Sequence, residues 1–480
     1  MIRLLPPLLL LTAAGCTVGP DYERPRTSIA ENWLEPAAPG AVDAEWWRRF
    51  GDPQLSALVE QAIASNPDLR EAEARLAEAR ANRDAAWGGR APQVRAAGSV
   101  TENVLSENGQ LPVANIPGFS REFSLFDLGF DAGWELDFWG RNRRQVEAAE
   151  ARADAAQWSR RDALVSLVAE LARNYVELRG EQAQLAAAEE RLEAKTVLAR
   201  LVALRFDAGE ASRIEAEHAE SQRATAAAAR DGLSARAAVA AYRIAVLVGD
   251  PPENVVPGLR ATAPIPDPPA TIVSGVRSDL LERRPDIRRA ERELAAATAD
   301  IGVATSDLFP RFSLLGGLGL QARDPGDLLS PDSARLSIGP SFSWPIFSGG
   351  RIRAQIRAAD ARAEAAAARY EKVVIGALAE GESAANRFAN ASSAAAEARD
   401  ALERELSAYR LAELRFGRGE DDRLALMQAR LRMLEAQDLD RDAAEARATA
   451  AIALYKALAG GWASTSDNYA PKGTVRAIAP

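Results

Sequence analysis

The sequence predicts a mainly α-helical chain that carries two short amphipathic β-hairpins and is built as two copies of one long unit. Three observations predict it. Segments recur in the same order: Asn66-Pro67-Asp68-Leu69-Arg70 returns as Arg284-Pro285-Asp286-Ile287-Arg288, and Gly140-Arg141 with Gln145 returns as Gly350-Arg351 with Gln355. Arg205-Phe206-x-x-Gly209-Glu210-x-x-Arg213 returns as Arg415-Phe416-x-x-Gly419-Glu420-x-x-Arg423. The copies lie roughly 210 residues apart, far beyond the period of a solenoid, so two similar halves pack side by side. The second observation is composition. Ala, Arg, Glu, Leu and Gln dominate long stretches and favour helix, while Gly and Pro collect in narrow zones. The third is a change of period from helical to two in the same place in each copy.

In each copy a helix comes first, at 68–87 and 286–307. A proline follows, Pro92 and Pro310, which ends the helix and pushes its predecessor toward extended geometry. In the first strand zone Phe126, Leu128, Phe130, Ala132, Trp134 and Leu136 alternate with Asp127, Gly129, Asp131, Gly133, Glu135 and Asp137. In the second, Leu336, Ile338, Phe342 and Trp344 alternate with Arg335, Ser337, Gly339, Ser341 and Ser343. Residues 94–100 and 312–320 are the preceding partners, across turns at 106–117 and 324–332. Strands of about ten residues are long enough to cross a bilayer when tilted. Trp134, Trp139, Trp344, Phe309 and Phe347 gather at one end, as an interfacial aromatic girdle does. A small amphipathic sheet in a soluble protein is the alternative; the acidic and small polar face, together with that girdle, weighs against it. Four strands cannot close a membrane barrel, and open edges are not viable in lipid. A spanning sheet therefore needs two or three copies of the chain.

Each Gly-Arg then opens a very long helical stretch, 141–206 and 351–416. At 1.5 Å per residue it is a rod of about 100 Å. Leu164, Leu171, Leu178, Leu185 and Leu192 lie seven apart with Val168 and Tyr175 between them, a coiled-coil seam. Gly180 is the one glycine of the first rod. Gly209 and Gly419 close the rods in the left-handed conformation. Ser212 with Glu215 makes a capping box, and Asp422 caps the matching return helix. The returns run to Val248 and Leu458. The chain thus divides into a signal peptide (1–15), an N-terminal segment (16–60), a first repeat (61–250, hairpin 92–137, tip 207–212), a linker (251–275), a second repeat (276–460, hairpin 311–347, tip 417–422) and a C-terminal tail (461–480).

Composition excludes several functions. A net charge of −9 gives no basic footprint for nucleic acid. One Cys and one His leave no disulfide within the chain, no Cys/His zinc site and no Ser-His-Asp triad. No cofactor is called for, and His218 reads as a helix-surface residue. The N-terminus differs from the rest. Arg3, an apolar run over 4–11 and small residues up to Gly15 make a secretory signal too short to span a membrane. The chain's only Cys, Cys16, stands where a bacterial lipoprotein receives its lipid, and Thr17 after it gives no inner-membrane retention signal.

These residues resemble a family. Cys16-Thr-Val-Gly-Pro20-Asp-Tyr22-Glu-Arg-Pro25, Trp46-Trp47-x-x-Phe50-x-Asp52-Pro53-x-Leu55, Trp134-Glu-Leu-Asp-Phe138-Trp-Gly140-Arg141 and Trp344-Pro-Ile-Phe347-Ser-Gly349-Gly350-Arg351 occur in the order found in TolC-like outer-membrane efflux ducts. Arg283-Arg284-Pro285-Asp286-Ile287-Arg288 with Ala299-Asp300-Ile301-Gly302-Val303-Ala304 is the most specific segment, and it resembles the lipoprotein branch that serves resistance-nodulation-division pumps. The resemblance implies a homotrimer with a twelve-stranded outer-membrane β-barrel continued by a twelve-helix periplasmic α-barrel. An equatorial belt would come from 259–271 and the tail beyond Trp462. It implies an exit duct for drugs or other small molecules, no catalysis, lipid anchoring at Cys16, and a periplasmic adaptor and an inner-membrane pump as partners. The tips carrying Arg205, Phe206, Gly209, Glu210, Ser212 and Arg213, and Arg415, Phe416, Gly419, Glu420 and Arg423, would dock the adaptor. Related ducts carry an acidic ring just inside the second tip. Here Ala425 and Gln428 occupy those positions, which leaves Asp421, Asp422 and Gln428 as candidate gate residues beside Glu420. Asp127, Asp131 and Glu135 are candidate lumen charges that would favour cations. Three methionines give little support for a soft-metal path. A protein-secretion duct on the same fold and a poreless periplasmic coiled-coil scaffold are the rival readings.

Overall fold

The computed structural model describes residues 17–25, 30, 32–35, 38, 40, 42–106 and 120–462. The signal peptide, Cys16, most of the 106–117 turn and the tail from 463 lie outside the described residues.

The first two helices have starts fixed by capping side chains. The Asp52 carboxylate accepts from the Gln54 and Leu55 amides and starts α1 (Pro53–Ser65), with Pro53 at the first helical position. Asn66 Oδ1 accepts from the Asp68 and Leu69 amides at 2.8 and 3.0 Å and starts α2 (Pro67–Gly88). Strands β1 (Gln93–Val104) and β2 (Glu122–Leu136) follow. The Asp137 carboxylate then takes the Asn142 and Arg143 amides at 3.1 and 2.9 Å and opens α3 (Arg141–Asp207). The return helix α4 (Arg213–Val248) ends at Gly249, whose φ of 78° is the left-handed stop.

The linker is less irregular than its prolines suggest. It holds α5 (Pro252–Leu259), with Pro252 at its start and Pro257 inside it. Proline is tolerated in a first turn, where the amide has no partner anyway. The short α6 (Leu280–Arg283) precedes the second copy: α7 (Pro285–Ser306), β3 (Arg311–Ala322), β4 (Ala334–Ser343), α8 (Arg351–Gly417) and α9 (Arg423–Ala457). The strands and long helices expected from the sequence are all present, with ends within four residues of those expected; β4 stops at Ser343, so Trp344 follows the strand instead of continuing it.

The described residues form two compact units, and each draws on both copies: those within 17–25, 76–156 and 290–370 make one, and those within 30–75, 157–289 and 371–462 the other. The first holds one four-stranded antiparallel sheet in the order β1-β2-β3-β4. The two hairpins join through β2 and β3, from Phe126 opposite Ala322 to Leu136 opposite Phe312. The second unit holds the main core. There Trp46 stacks on Tyr455 with ring centroids 4.9 Å apart, and Trp47, Phe50, Leu55 and Val59 pack with Val168, Leu171, Tyr175, Leu178, Ile244 and Leu458. Each such side chain contributes about 1.5–3 kcal/mol by leaving water. The heptad seam is fully buried at Val168, Leu171, Tyr175 and Leu178, and half-buried at Leu164, Leu185 and Leu192.

Candidate functional site

The sheet has two chemically distinct faces because side chains alternate across each strand. One carries Val94, Val100, Leu128, Phe130, Leu318, Leu336, Ile338 and Phe342, and nothing within its unit covers them: Leu336 is 76% and Ile338 75% exposed. The other carries Arg95, Ser99, Asp127, Asp131, Glu135, Gln321, Arg335 and Ser337. The three expected lumen carboxylates do share this face. They are not alone there. Asp127 accepts from Arg335 Nη2 at 2.7 Å and from Gln321 Nε2 at 2.8 Å, and Arg95 stands directly opposite Asp131. β2 alone does not reveal this, because the compensating cations sit on other strands of the sheet.

The aromatic cluster occupies the end of the sheet nearest α3. The Trp134, Trp139 and Trp344 indoles donate to the Arg90, Pro310 and Leu308 carbonyls at 2.9, 2.8 and 3.0 Å. Trp139 stacks on Phe309 at 4.7 Å, and Phe347 is 90% exposed. The N-terminal segment is fastened at the same place. The Val18 amide donates to the Trp139 carbonyl at 3.1 Å, and Arg144 reaches the Val18 and Gly19 carbonyls and the Asp21 carboxylate. Thr17 lies so close to Gly140 (φ 77°) that a Cβ there would be 3.0 Å from the Thr17 Cα. The Tyr22 hydroxyl donates to the buried Glu291, and burial with that carboxylate beside it pushes the phenol up to about 12.

The two tips have the same backbone. Gly209 N–H donates to the Phe206 carbonyl at 2.9 Å and Glu210 N–H to the Arg205 carbonyl at 2.8 Å; Gly419 to Phe416 and Glu420 to Arg415 repeat this at 2.9 and 3.0 Å. This is the Schellman closure, and the φ values of 79° and 74° favour glycine. Nothing lies within 4 Å of a Cβ built on either glycine. Arg205 pairs with Glu210 and Arg415 with Glu420, at 4.0 and 3.8 Å. The return helices start differently. Ser212 and Glu215 form the complete capping box, and hydrogen bonds from the Ser212 backbone and hydroxyl hold the Glu215 carboxyl below the usual range. Arg213 pairs with Glu217. Asp422 caps α9 by accepting from the Ala425 amide at 2.8 Å, and Asp421 pairs with Arg415 at 2.9 Å. Gln428 is exposed. Around the tips Leu204, Ile214, Leu411 and Leu414 are 59–81% exposed beside Phe206 and Phe416. Only the two phenylalanines were marked by the repeat; the aliphatic neighbours carry no motif and emerge only as uncovered surface.

Among the described residues no group of His, Cys, Asp and Glu is arranged to hold a metal ion, and no helix is long and apolar enough to cross a membrane.

Residues 58–250 and 276–460 match the family described as outer membrane efflux protein, one match for each copy. The chain is 31% identical to Nodulation protein T of Rhizobium leguminosarum bv. trifolii over 80% of its own length and 81% of the relative's. It is 30% identical to Outer membrane protein OprJ of Pseudomonas aeruginosa, with 95% of each chain covered. Its fold superposes on the solved outer-membrane channel OprN with a TM-score of 0.82 and 37% identity, covering 93% of this chain and 100% of that one. A duplicated unit with two membrane-length hairpins and long helical returns, matched in both copies, places the chain in the outer membrane efflux protein family.

Proposed function

We propose that this protein is the outer-membrane exit duct of a tripartite efflux system of the resistance-nodulation-division type, acting as a homotrimer. One observation carries the reading: a four-stranded sheet with one face apolar and uncovered, and with two long edges, β1 and β4, that no strand of the described chain pairs. In lipid such edges must be closed by other copies. Three chains supply twelve strands, with the apolar face toward lipid and the Asp127–Arg335 face toward the lumen. The helical part then lies in the periplasm. Relatives include a pyoverdine export protein, a toluene efflux pump protein and a cation efflux protein, so the cargo class varies across the family. In this reading Cys16 carries lipid, and Thr17 to Tyr22 hold it at the membrane end of the barrel. The duct catalyses nothing; the inner-membrane pump supplies the energy.

The tips dock the adaptor. Their glycines leave open space for another backbone, and the exposed aliphatic rim supplies apolar area. Gating by charge at the second tip has a weaker basis, because Arg415, Arg418 and Arg423 offset Glu420, Asp421 and Asp422. A charge gate predicts that changing those three acids to amides, which leaves the arginines unopposed, alters single-channel conductance and ion selectivity, and unchanged values would reject it.

Detergent-extracted protein tests the duct directly: a trimer that conducts ions in planar bilayers is expected, and a non-conducting monomer or dimer would reject it. For the tips, Gly209→Trp with Gly419→Trp should abolish drug resistance while trimers still reach the outer membrane. Asn at both positions, which tolerates the left-handed conformation, should retain most resistance. Full resistance in the Trp variant would reject docking there.

A further inference from the structure

Building on the duct reading, we propose that Arg335 sets the charge selectivity of the barrel section, by spanning three strands to neutralise the acidic strand of the other copy. The polar face of the sheet is organised in levels by its register. Asp127 stands between Ser99 and Gln321; the next level holds Gly129, Gly319 and Arg335; the one after holds Arg95, Asp131, Gly317 and Ser337. Arg335 is therefore the only side chain at its level on three adjacent strands, because its two register neighbours are glycines. This empty floor lets the arginine lie down across β3.

The contacts show where it ends. Nη2 lies 2.7 Å from Asp127 Oδ1, whose other oxygen is held by Gln321 at 2.8 Å. Nη1 would be 3.5 Å from a Cβ built on Gly317, and Asp131 Oδ1 would be 3.3 Å from the same atom. The guanidinium thus sits between the two aspartates, above glycine. A side chain at 317 would meet both charged groups and Ser337 Oγ at 3.2 Å. Arg335 is 35% and Asp127 19% exposed at the side chain, so both remain in reach of passing solute.

The consequence is a charge count that differs from that of β2 alone. Asp127, Asp131 and Glu135 face Arg95 and Arg335, while Arg311, on the same face at the start of β3, is engaged by Asp307 outside the strands. One negative charge per chain is left over, where β2 read alone suggests three. The first copy supplies the acids and the second supplies the arginine that spans to them, so the two halves have diverged into complementary strands. A lumen with little excess charge passes cargo of either sign, whereas a strongly acidic one holds cations and repels anions.

The test is the reversal potential of trimers in planar bilayers under a potassium chloride gradient at low ionic strength, where screening is weak. Wild type should show a mild cation preference. Arg335→Gln doubles the excess negative charge and should raise the potassium-to-chloride permeability ratio by about twofold or more. Asp127→Asn removes the excess and should bring that ratio toward one. The double variant restores the wild-type count and should restore the wild-type ratio, which a purely structural defect would not do. Conducting trimers of Arg335→Gln with an unchanged ratio, or a double variant that fails to return, would overturn the assignment. Wild-type protein that does not conduct at all would instead sink the duct reading on which it rests. If Arg335→Gln does not assemble, the opposite shift in Asp127→Asn decides the matter, and its absence counts against the proposal.

Discussion

At the scale of single residues, the duplicated motif before each Pro-Asp does the same job with different chemistry. Asn66 is buried; its oxygen caps α2, and its Nδ2 donates to the Leu247 carbonyl at the end of the first return helix, at 2.8 Å. Arg284 holds the corresponding place in the second copy. Its Nη1 donates to the Ala457 carbonyl at 3.0 Å, and it also bridges Asp286 and Glu380, both at 2.8 Å. Burial works against the guanidinium, but those two carboxylates win and push its pKa up. Both residues therefore tie the start of a short helix to the end of a long return helix. Asn66→Ala should cost about 1–2 kcal/mol through loss of a cap and a buried hydrogen bond. Arg284→Ala should cost more, about 3–5 kcal/mol, because it strands the Asp286 and Glu380 charges. Thermal unfolding of the purified variants measures both, and equal losses would contradict this ranking. The cap was legible, since Asn before Pro-Asp is a helix-start signature. The clamp on Leu247 and Ala457 was not, because nothing local to either motif names a partner some 180 residues away in sequence.

Between elements, the contact of α3 with α9 explains a glycine that composition alone only flagged. A Cβ on Gly180 would overlap the Glu445 carboxylate, so the first rod gives up its one side chain to admit an acid from the second return helix. Along the same contact Gln184 donates to Asp442 at 2.8 Å, Arg191 pairs with Asp438, and Arg430 pairs with Glu193 at 3.2 Å. Among the described residues Glu445 has no such partner. Glu177 and Glu181 face it from α3, already engaged by Arg243 and Arg236 of α4, and Asp442 lies on its own helix. Burial first, and then these like charges, push its carboxyl up from 4.5 to about 7. The folded protein therefore holds a proton there that the unfolded chain has lost. Its contribution is fully present below about 4.5 and falls as pH rises through about 7. Glu445→Gln should flatten the loss of thermal stability between pH 5 and 8. At pH 8 it should stabilise by about 1 kcal/mol, a value reduced for solvent screening. A variant whose melting temperature tracks wild type at every pH would reject the assignment. The heptad seam shows the limit of element-scale reading in the other direction. Its spacing predicted Val168 to Leu178 correctly as core, yet the same spacing at Leu185 and Leu192 gives only half-buried positions, because heptads report a face and not what covers it.

For the whole molecule, strand alternation carried the sheet from sequence to structure, and what it could not carry was the join between copies. Nothing in either hairpin says that β2 pairs with β3. That pairing is long-range, and its register is set by keeping Phe130 beside Leu318 and Leu336 on one face and Asp127 beside Gln321 on the other. In the proposed trimer the same rule operates at β1 and β4, where the partner would be another chain, so a single substitution can report which face meets lipid. Leu336 and Ser337 are adjacent and point oppositely. Leu336 lies level with Phe130, four positions along β2 from the aromatic end at Trp134, and so well inside the apolar band. Arginine at 336 would place a charge in hydrocarbon at a cost of about 2–4 kcal/mol in each chain. The threefold symmetry of the proposed trimer repeats that cost three times. Arginine at 337 would enter the polar face beside Asp131 and meet water. Heat-sensitive trimers in outer-membrane fractions should therefore be lost in Leu336→Arg and kept in Ser337→Arg, and the latter should conduct with its permeability ratio shifted toward anions. The opposite pattern would mean that the apolar face lines the lumen. Equal assembly of both variants would mean that the sheet does not span the membrane, and the duct would have to be given up.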